Sequence, residues 1–394
     1  MASVSKDERV SGLALATLPL AERQAIVARF EQRTNEAVRA CAPTRDWVRR
    51  AIRRQGGLRC PVRLKRLSLD VILRHGDQLA DLYCRYPDDV IHLQPYEFSV
   101  GYQPPESREH VDALQALTEP GEWADEWGTV WAHRAGGVGA TPVDVPLKEW
   151  SQLTDYLARR IPDPNAPGRL ASVQPLLETH GATKYCVGVI HLALFERYHS
   201  LRGMENAFLD LYTNEREAHR LLEALGDYLV SLVRRWGETP VSAMFLCDDW
   251  GSQNQLMVSV SMWRKFFKPH YRRAFDEIHR FGKDIIFHSC GNVAGIIPEL
   301  IELGVDVLDP IQPGPMNLEQ VAQQFGGRIC FCGGIDDQRL EEYTAEEVRR
   351  VARQTMETLG KPFGNAYIVA PANLVPPTVP IENLAALIET VHSD

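Results

Sequence analysis

The feature that most constrains the fold is a regular alternation of short apolar runs with longer helical patterns. In the C-terminal half, five such units begin near residues 242, 283, 305, 328 and 366. Three further strand candidates lie upstream, at residues 88–93, 127–131 and 184–192. Alternating strands and helices predict a parallel sheet covered by helices, and eight strands predict a single (β/α)8 barrel of the TIM type. No glycine-rich phosphate turn follows the first strand, which disfavours a dinucleotide-binding sheet.

The N-terminal part has a different pattern. Residues 1–85 show helical spacing without strand alternation, so we expect an N-terminal helical extension there and the barrel over residues 86–394. Such an extension either covers one end of a barrel or takes part in a homodimer. The basic run Arg45 to Arg54 lies in one of these helical patterns, where solvated surface is the simplest interpretation.

Composition excludes several classes of protein. The chain has 394 residues, of which 44% are hydrophobic, and no apolar stretch reaches membrane-spanning length, so a cytoplasmic protein without membrane contact is expected. The eight cysteines are spread along the chain and resemble buried thiols or ligands rather than a disulfide framework. The net charge of −9 disfavours a nucleic-acid partner.

Polar residues cluster where the predicted strands end, and in a TIM-type barrel these ends carry the chemistry. His288 and Cys290 stand two residues apart at the end of one strand, so both side chains can converge on one ion. Imidazole and thiolate are good zinc ligands, whereas the alternative is an ordinary buried pair. The other residues at predicted strand ends are Asp248, Asp249, Asp309, Cys332 and Asn373.

Several of these segments together resemble a known family. They are Asp248-Asp249-Trp250-Gly251-Ser252-Gln253, His288-Ser289-Cys290-Gly291-Asn292, Gly304 to Pro313, Gly333-Gly334-Ile335-Asp336 and Pro380-Ile381-Glu382-Asn383. The chain from about residue 125 onward resembles the uroporphyrinogen decarboxylase superfamily. More narrowly, it is similar to the zinc- and corrinoid-dependent methyltransferases, which include methylcobamide:coenzyme M methyltransferases and methyltransferase components of O-demethylases. The family fold is an eight-stranded α/β barrel.

The resemblance implies zinc bound by His288 and Cys290. In the coenzyme M branch a cysteine, the third ligand, stands where this chain has Asn373, and an amide is a poor zinc donor. Asp249 is the preferred replacement, with Cys247, Asp309 and Cys332 as alternatives. The resemblance further implies methyl transfer between a small methyl donor or acceptor and a corrinoid carried by a partner protein.

Roles for single residues follow from this interpretation. Asp248, Asp249 and His288 are the expected catalytic residues, and Arg197, Arg202, Asp309 and Asn373 are expected to contact the substrate. Asp248 has an alternative role as a helix cap before Trp250.

Porphyrinogen decarboxylases, by contrast, carry an arginine-bearing segment near the N-terminus and an aspartate after the first strand. Here the corresponding positions read Arg54-Gln55-Gly56-Gly57 and Leu93-Gln94, which makes uroporphyrinogen an unlikely substrate. A decarboxylase of a small carboxylic acid stays open, with Arg197, Arg202 or His288 holding the carboxylate and His288 donating a proton. A non-catalytic barrel that binds a small molecule is the remaining alternative.

Overall fold

The centre of the structure is a parallel sheet of seven strands. The computed structural model describes residues 18–94, 121–133 and 140–393. The strands are β1 (Val90–Leu93), β5 (Tyr185–Ile190), β6 (Ala243–Cys247), β7 (Asp284–His288), β8 (Val307–Ile311), β9 (Cys330–Ile335) and β10 (Tyr367–Pro371). The strand order follows the chain, β1-β5-β6-β7-β8-β9-β10, and every neighbouring pair is parallel. The expected α/β class is confirmed.

An extended segment at residues 61–67 fills the gap between β10 and β1. The N–H of Val369 donates to the carbonyl of Pro61 at 2.8 Å, and the N–H of Arg63 donates to Val369 at 2.9 Å. On the other side the carbonyl of Val62 accepts from the N–H of Asp89 at 3.0 Å. This segment therefore takes the eighth position in the barrel. It lies N-terminal to residue 86, the boundary expected from the sequence.

The strand predicted at residues 127–131 was assigned to the wrong sheet. That part of the chain contributes β3 (Val130–His133), which pairs antiparallel with β2 (Gly121–Ala124) and β4 (Thr141–Asp144). An antiparallel neighbour needs only a short connection, whereas a barrel strand needs a crossover helix before its partner. The strand pattern was correct, but local alternation cannot tell which sheet a strand joins.

Three helices lie N-terminal to β1, as the sequence predicted: α1 (Leu20–Ala40), α2 (Arg45–Ile52) and α3 (Leu69–Arg85). Residues 1–17 of the expected extension lie outside the described residues. The α1 and α3 helices pack on each other, with the rings of Phe30 and Tyr83 6.0 Å apart.

The basic helix α2 closes the N-terminal end of the barrel, so its interpretation as solvated surface was wrong. Val48 and Ile52 pack into the barrel interior. Nε of Arg49 and of Arg53 donate to the carboxylate of Asp284 at 3.0 and 2.9 Å, and the Tyr185 hydroxyl donates at 2.8 Å. Asp284 is fully buried at the start of β7, so these donors compensate its charge.

The remaining helices cover the outside of the sheet and give it a second apolar layer. They are α4 (Leu153–Arg159), α5 (Gln174–His180), α6 (Phe195–Arg202), α7 (Met204–Thr213), α8 (Glu215–Gly237), α9 (Val260–Phe266), α10 (Lys268–Arg280), α11 (Ile297–Glu302), α12 (Leu318–Phe325), α13 (Ala345–Leu359) and α14 (Ile381–Ser393). Within the described residues, none of the helices has the length and apolar character needed to cross a membrane.

Candidate functional site

The site is built at the carboxyl ends of three adjacent strands. Cys247 at the end of β6 is aligned with His288 at the end of β7, and His288 is aligned with Asp309 in β8. Aligned residues of parallel strands project to the same side of a sheet. Alternate residues below them, including Phe245 and Ile286, belong to the packed barrel interior. The three side chains therefore lie in one row on top of the core.

His288 is held in one orientation. Its Nδ1 hydrogen-bonds to Oδ1 of Asp309, and Nη2 of Arg66 lies 3.3 Å from the same nitrogen. Its Nε2 faces Sγ of Cys290 at 3.4 Å and Oδ1 of Asp249 at 3.6 Å. Because the carboxylate occupies Nδ1, Nε2 is the nitrogen left for a ligand or a substrate.

Two loops after β6 and β7 bring Asp249 and Cys290 together. Oδ1 of Asp249 accepts from the N–H of Cys290 at 2.8 Å. The loops touch backbone to backbone: a Cβ on Gly251 would lie 2.5 Å from the Cys290 carbonyl, and one on Gly291 would lie 2.3 Å from the Gly251 carbonyl. Gly291 also has a φ of +79°. Glycine is required at both positions for this close approach.

The donor atoms of this cluster suit a zinc ion. The ligand atoms of Cys247, Asp249 and His288 all lie within 4.8 Å of one another, and no second group of this kind occurs elsewhere in the described ranges. The sulfur of Cys290 lies beside the same imidazole nitrogen. Two sulfurs, one nitrogen and one carboxylate oxygen are a donor set that zinc accepts. A carboxylate that binds the other ring nitrogen typically orients a zinc-bound imidazole, and Asp309 has this position at His288.

Neighbouring charges shift the pKa values of His288 and Asp309. Burial opposes protonation of the imidazole, but electrostatic attraction by Cys290 and the hydrogen bond that Nδ1 donates to Asp309 outweigh this and raise the pKa of His288 to about 10. Burial works against ionisation of Asp309, yet Arg66 and His288 hold its pKa well below the ordinary value. A metal ion at Nε2 would take the place of the proton there.

Arg63 and Arg66 belong to the site but were not predicted from the sequence. Both lie on the extended segment at residues 61–67, and both donate to the carboxylate of Asp309, Arg63 at 3.1 Å and Arg66 at 3.1 Å. Arginines near the N-terminus were sought at Arg54, which instead donates to the carbonyl of Ile52 at the end of α2. The available signal was the pair Arg63 and Arg66 between Pro61 and Leu67, a stretch without helical spacing.

Asp248 does not face the site, so its assignment as a catalytic residue is corrected. Its carboxylate is fully buried and accepts from the N–H groups of Leu194 and Glu196, both at 2.8 Å, and from the Tyr271 hydroxyl at 2.6 Å. Burial raises its pKa to about 7. Asp248 thus caps the start of α6 rather than a helix before Trp250.

Arg197 and Arg202 also lie away from the site. Arg197 donates to Asp125 at 2.8 Å, and Arg202 donates to Asp210 at 2.8 Å. Both are buried, and within the described parts of the chain neither contacts His288. Their role is structural, because their charges are already paired. They join α6 to the neighbouring segments.

The other two residues expected to contact the substrate, Asp309 and Asn373, differ in position. Asp309 is fully buried beneath His288, and its carboxylate is occupied by the imidazole and two arginines, so it orients the site instead. Asn373 is exposed, and its Nδ2 lies 3.9 Å from Sγ of Cys290. Cys332 is buried in the barrel interior. Of the two, Asn373 is placed to contact a bound molecule.

Two further site histidines were missed. His92 is in β1, with its ring 4.9 Å from that of Phe245, and His191 directly follows β5. Burial, joined by the charge of Arg63, lowers the pKa of His92 well below the ordinary value. Burial and the positive charges of His288, Arg63 and Arg66 lower the pKa of His191 to about 4. Both imidazoles are therefore neutral near pH 7.

A parallel α/β barrel with a thiol, imidazole and carboxylate cluster at the carboxyl ends of its strands defines the class of this protein. The family model described as uroporphyrinogen decarboxylase (URO-D) matches residues 192–393, just over half of the chain. The chain belongs to this family.

Individual relatives agree with the family. The chain is 25% identical to uroporphyrinogen decarboxylase from Thermus thermophilus over 182 residues, which are 46% of this chain and 50% of the relative. It is 24% identical to methylated-thiol--coenzyme M methyltransferase from Methanosarcina mazei over 193 residues, 48% of each chain. The chain spans about half the length of the curated relatives it matches. The resemblance to the superfamily and its methyltransferase-like branch is confirmed.

A solved structure supports the fold over more of the chain. The methyltransferase from Methanosarcina mazei superposes with a TM-score of 0.62 at 13% sequence identity, covering 90% of this chain and 99% of that one. At this coverage the similarity extends into the N-terminal third of the chain, where the sequence resemblance is faint. At this identity it establishes the shared fold.

Proposed function

We propose that this protein is a metal-dependent methyltransferase that moves a methyl group between a small substrate and a corrinoid held by a separate protein. The observation that carries the proposal is the cluster around Nε2 of His288. Three potential ligand atoms lie within 4.8 Å of one another, and the sulfur of Cys290 lies 3.4 Å from Nε2. Two thiols beside one oriented imidazole are more than a decarboxylase requires, but they suit a zinc site.

The proposed ligands are His288, Cys290, Asp249 and Cys247. Cys247 replaces the cysteine that the coenzyme M branch has at the position of Asn373, and it adds a ligand to the three expected from sequence. Bound zinc supplies Lewis-acid chemistry, lowering the pKa of a thiol or polarising an ether oxygen.

The remaining residues of the site act on the ligands and on the substrate. Asp309 fixes the imidazole of His288, while Arg63 and Arg66 keep that carboxylate ionised in a buried position. Asp249 holds the loop of Cys290 through the backbone N–H. Because the site is assembled before any substrate arrives, little reorganisation is needed during the reaction.

The position of Asn373 favours a substrate other than coenzyme M. The homologous cysteine of that branch is replaced by an amide that only approaches Cys290 from the exposed side. We therefore expect a different methyl donor or acceptor, of the methyl ether or thioether class.

The first test is metal content. Purified protein should hold about one zinc per chain, and Cys290→Ser should lower zinc affinity at least about tenfold, because a hydroxyl is a far weaker ligand than a thiolate. Cys41→Ser is the matched control, since Cys41 is exposed and remote from the cluster. Full zinc stoichiometry in both Cys290→Ser and His288→Ala would contradict the proposal.

The second test is the reaction. The zinc-loaded protein is mixed with a reduced corrinoid protein and a panel of methyl ethers and thioethers, and methylcobalt absorbance is followed. A signal that is lost in His288→Ala supports methyl transfer.

Decarboxylation of a small carboxylic acid is a second candidate, favoured by a specific arrangement. Arg63 and Arg66 lie beside His288, whose pKa of about 10 in the metal-free site makes it a proton donor. These arginines take the place of Arg197 and Arg202 in that hypothesis. Metal-free protein that releases carbon dioxide from a carboxylic acid, at a rate sensitive to His288→Ala, would favour this candidate over methyl transfer. A non-catalytic barrel would show neither activity.

A further inference from the structure

We propose that His92, His191 and Arg63 form a subsite that binds the carboxylate of an anionic substrate next to the His288 cluster. The identification of the bound molecule as the methyl-bearing substrate rests on the proposed function. The binding of a carboxylate does not, because it depends only on the groups that face the barrel mouth.

Strand geometry places the two histidines on the inner face of the barrel. Val90 and Val189 belong to the packed interior of the barrel. His92 lies two residues beyond Val90, and His191 lies two residues beyond Val189. Side chains alternate along a strand, so residues two apart share a face. His92 and His191 therefore continue the interior columns upward to the level where the chemistry lies, in β1 and directly after β5.

Contacts tie this subsite to the His288 cluster. The ring of Phe245 lies 4.9 Å from that of His92 and 5.2 Å from that of His288, and the guanidinium of Arg63 lies 5.6 Å from its centre. A single side chain, that of Phe245, therefore contacts both the proposed carboxylate subsite and the imidazole of His288.

The hydrogen-bonding groups of this subsite are accessible to a ligand. Both imidazoles are partly exposed, and their nitrogens are not among the buried side-chain atoms without a partner in the described parts of the chain. Arg63 uses only Nη1, and its side chain is 12% exposed. Partly exposed donors at the barrel mouth are satisfied by water in the free protein, and a ligand with acceptor atoms can displace that water.

The positive charge of Arg63 favours an anionic ligand in this subsite. Arg63 and Arg66 share the single carboxylate of Asp309, so two guanidinium groups lie against one acid. Burial and the charge of Arg66 lower the pKa of Arg63 despite the attraction of Asp309. A carboxylate could accept from Arg63 and from both imidazole N–H groups, whereas a cation would meet the positive charge of Arg63.

The backbone conformation of Leu192 holds the neighbouring His191 in place. Leu192 adopts a φ of +50°, which a leucine rarely does, and its side chain packs against Trp123 and Trp131 of the small antiparallel sheet. Strain of this kind persists where the surroundings impose it, and it often accompanies a functional residue. The turn ends β5 abruptly and holds His191 at the mouth.

The test compares two small methyl ethers that differ only in charge. Methoxyacetate and 2-methoxyacetamide are titrated into zinc-loaded protein at pH 7, and binding is measured by calorimetry. We expect methoxyacetate to bind at least about tenfold more tightly, and this preference to fall below about threefold in His92→Ala, His191→Ala and Arg63→Gln. His219→Ala, on the exposed face of α8, is the matched control and should retain the preference.

Two controls distinguish loss of the subsite from loss of the fold. Circular dichroism and zinc content identify any variant that has lost its fold, and His191→Asn, which keeps a donor, should retain more of the preference than His191→Ala. Equal affinities for the two ethers, no saturable binding of methoxyacetate, or an unchanged preference in folded His92→Ala and His191→Ala would overturn the subsite. Because calorimetry needs neither turnover nor corrinoid, carboxylate binding without methyl transfer would refute the proposed function alone.

Discussion

Asp309 fixes the imidazole of His288 through Nδ1, so that Nε2 is directed at Cys290 and Asp249. Asp309 is itself fully buried and accepts from two arginines of the extended segment at residues 61–67. The orientation of the central imidazole therefore depends on a part of the chain more than 200 residues away.

The first prediction concerns Asp309→Asn. The amide keeps the shape but removes the charge that stabilises the orientation of His288, so zinc affinity should fall about 10- to 100-fold. Competition with a fluorescent zinc chelator measures it, and Asp276→Asn on the exposed face of α10 is the control. Zinc affinity within about threefold of wild type, in a variant that still unfolds cooperatively, would contradict the role assigned to Asp309.

The second prediction concerns Asp249→Asn. Asp249 both faces Nε2 of His288 and holds the Cys290 loop, so the variant should lose about a hundredfold in kcat, or about 2.7 kcal/mol of transition-state stabilisation. KM should change little. Steady-state kinetics of methyl transfer measure both constants. A higher KM with unchanged kcat would instead assign Asp249 to substrate binding.

The third prediction concerns stability at the opposite end of the barrel. Asp284→Ala removes the buried carboxylate that binds Arg49, Arg53 and Tyr185. The two arginines are partly exposed and can be solvated, so the loss should lie near the lower end of the range for broken buried pairs, about 3 kcal/mol. Urea unfolding measures it. Asp276→Ala should stay within about 0.5 kcal/mol of wild type.

The fourth prediction concerns pH. Asp88 accepts from the N–H groups of Leu64 and Lys65, and burial raises its pKa to about 6 from an ordinary value of 3.8. The folded state therefore binds this proton more tightly than the unfolded state does. The stability it contributes is fully present below about pH 3.8 and is lost as pH rises through about 6.

Asp88→Asn removes this titration. Between pH 4 and 6.5 the unfolding free energy of wild type should fall relative to that of the variant, as measured by urea unfolding at several pH values. Parallel pH profiles for the two proteins would show that the proton on Asp88 is not retained in the folded state.

The sequence by itself determined the class of the fold and the centre of the site. Alternating strands and helices follow from local spacing, so seven of the eight expected barrel strands were located correctly. His288 and Cys290 were expected to converge because residues two apart at a strand end share a face, and their side chains are 3.4 Å apart. Asp249 was placed beside them because adjacent strands end at the same edge.

Tertiary structure decided the rest. Which segment closes the barrel depends on pairing across the chain, and residues 61–67 do so with only isolated bridges that leave no strand pattern. The arginines of that segment reach Asp309 for the same reason, whereas Arg197, Arg202 and Asp248 are paired elsewhere by residues distant in sequence. Local spacing fixes the side of an element on which a residue lies. Which charge that residue meets is fixed only when the elements pack.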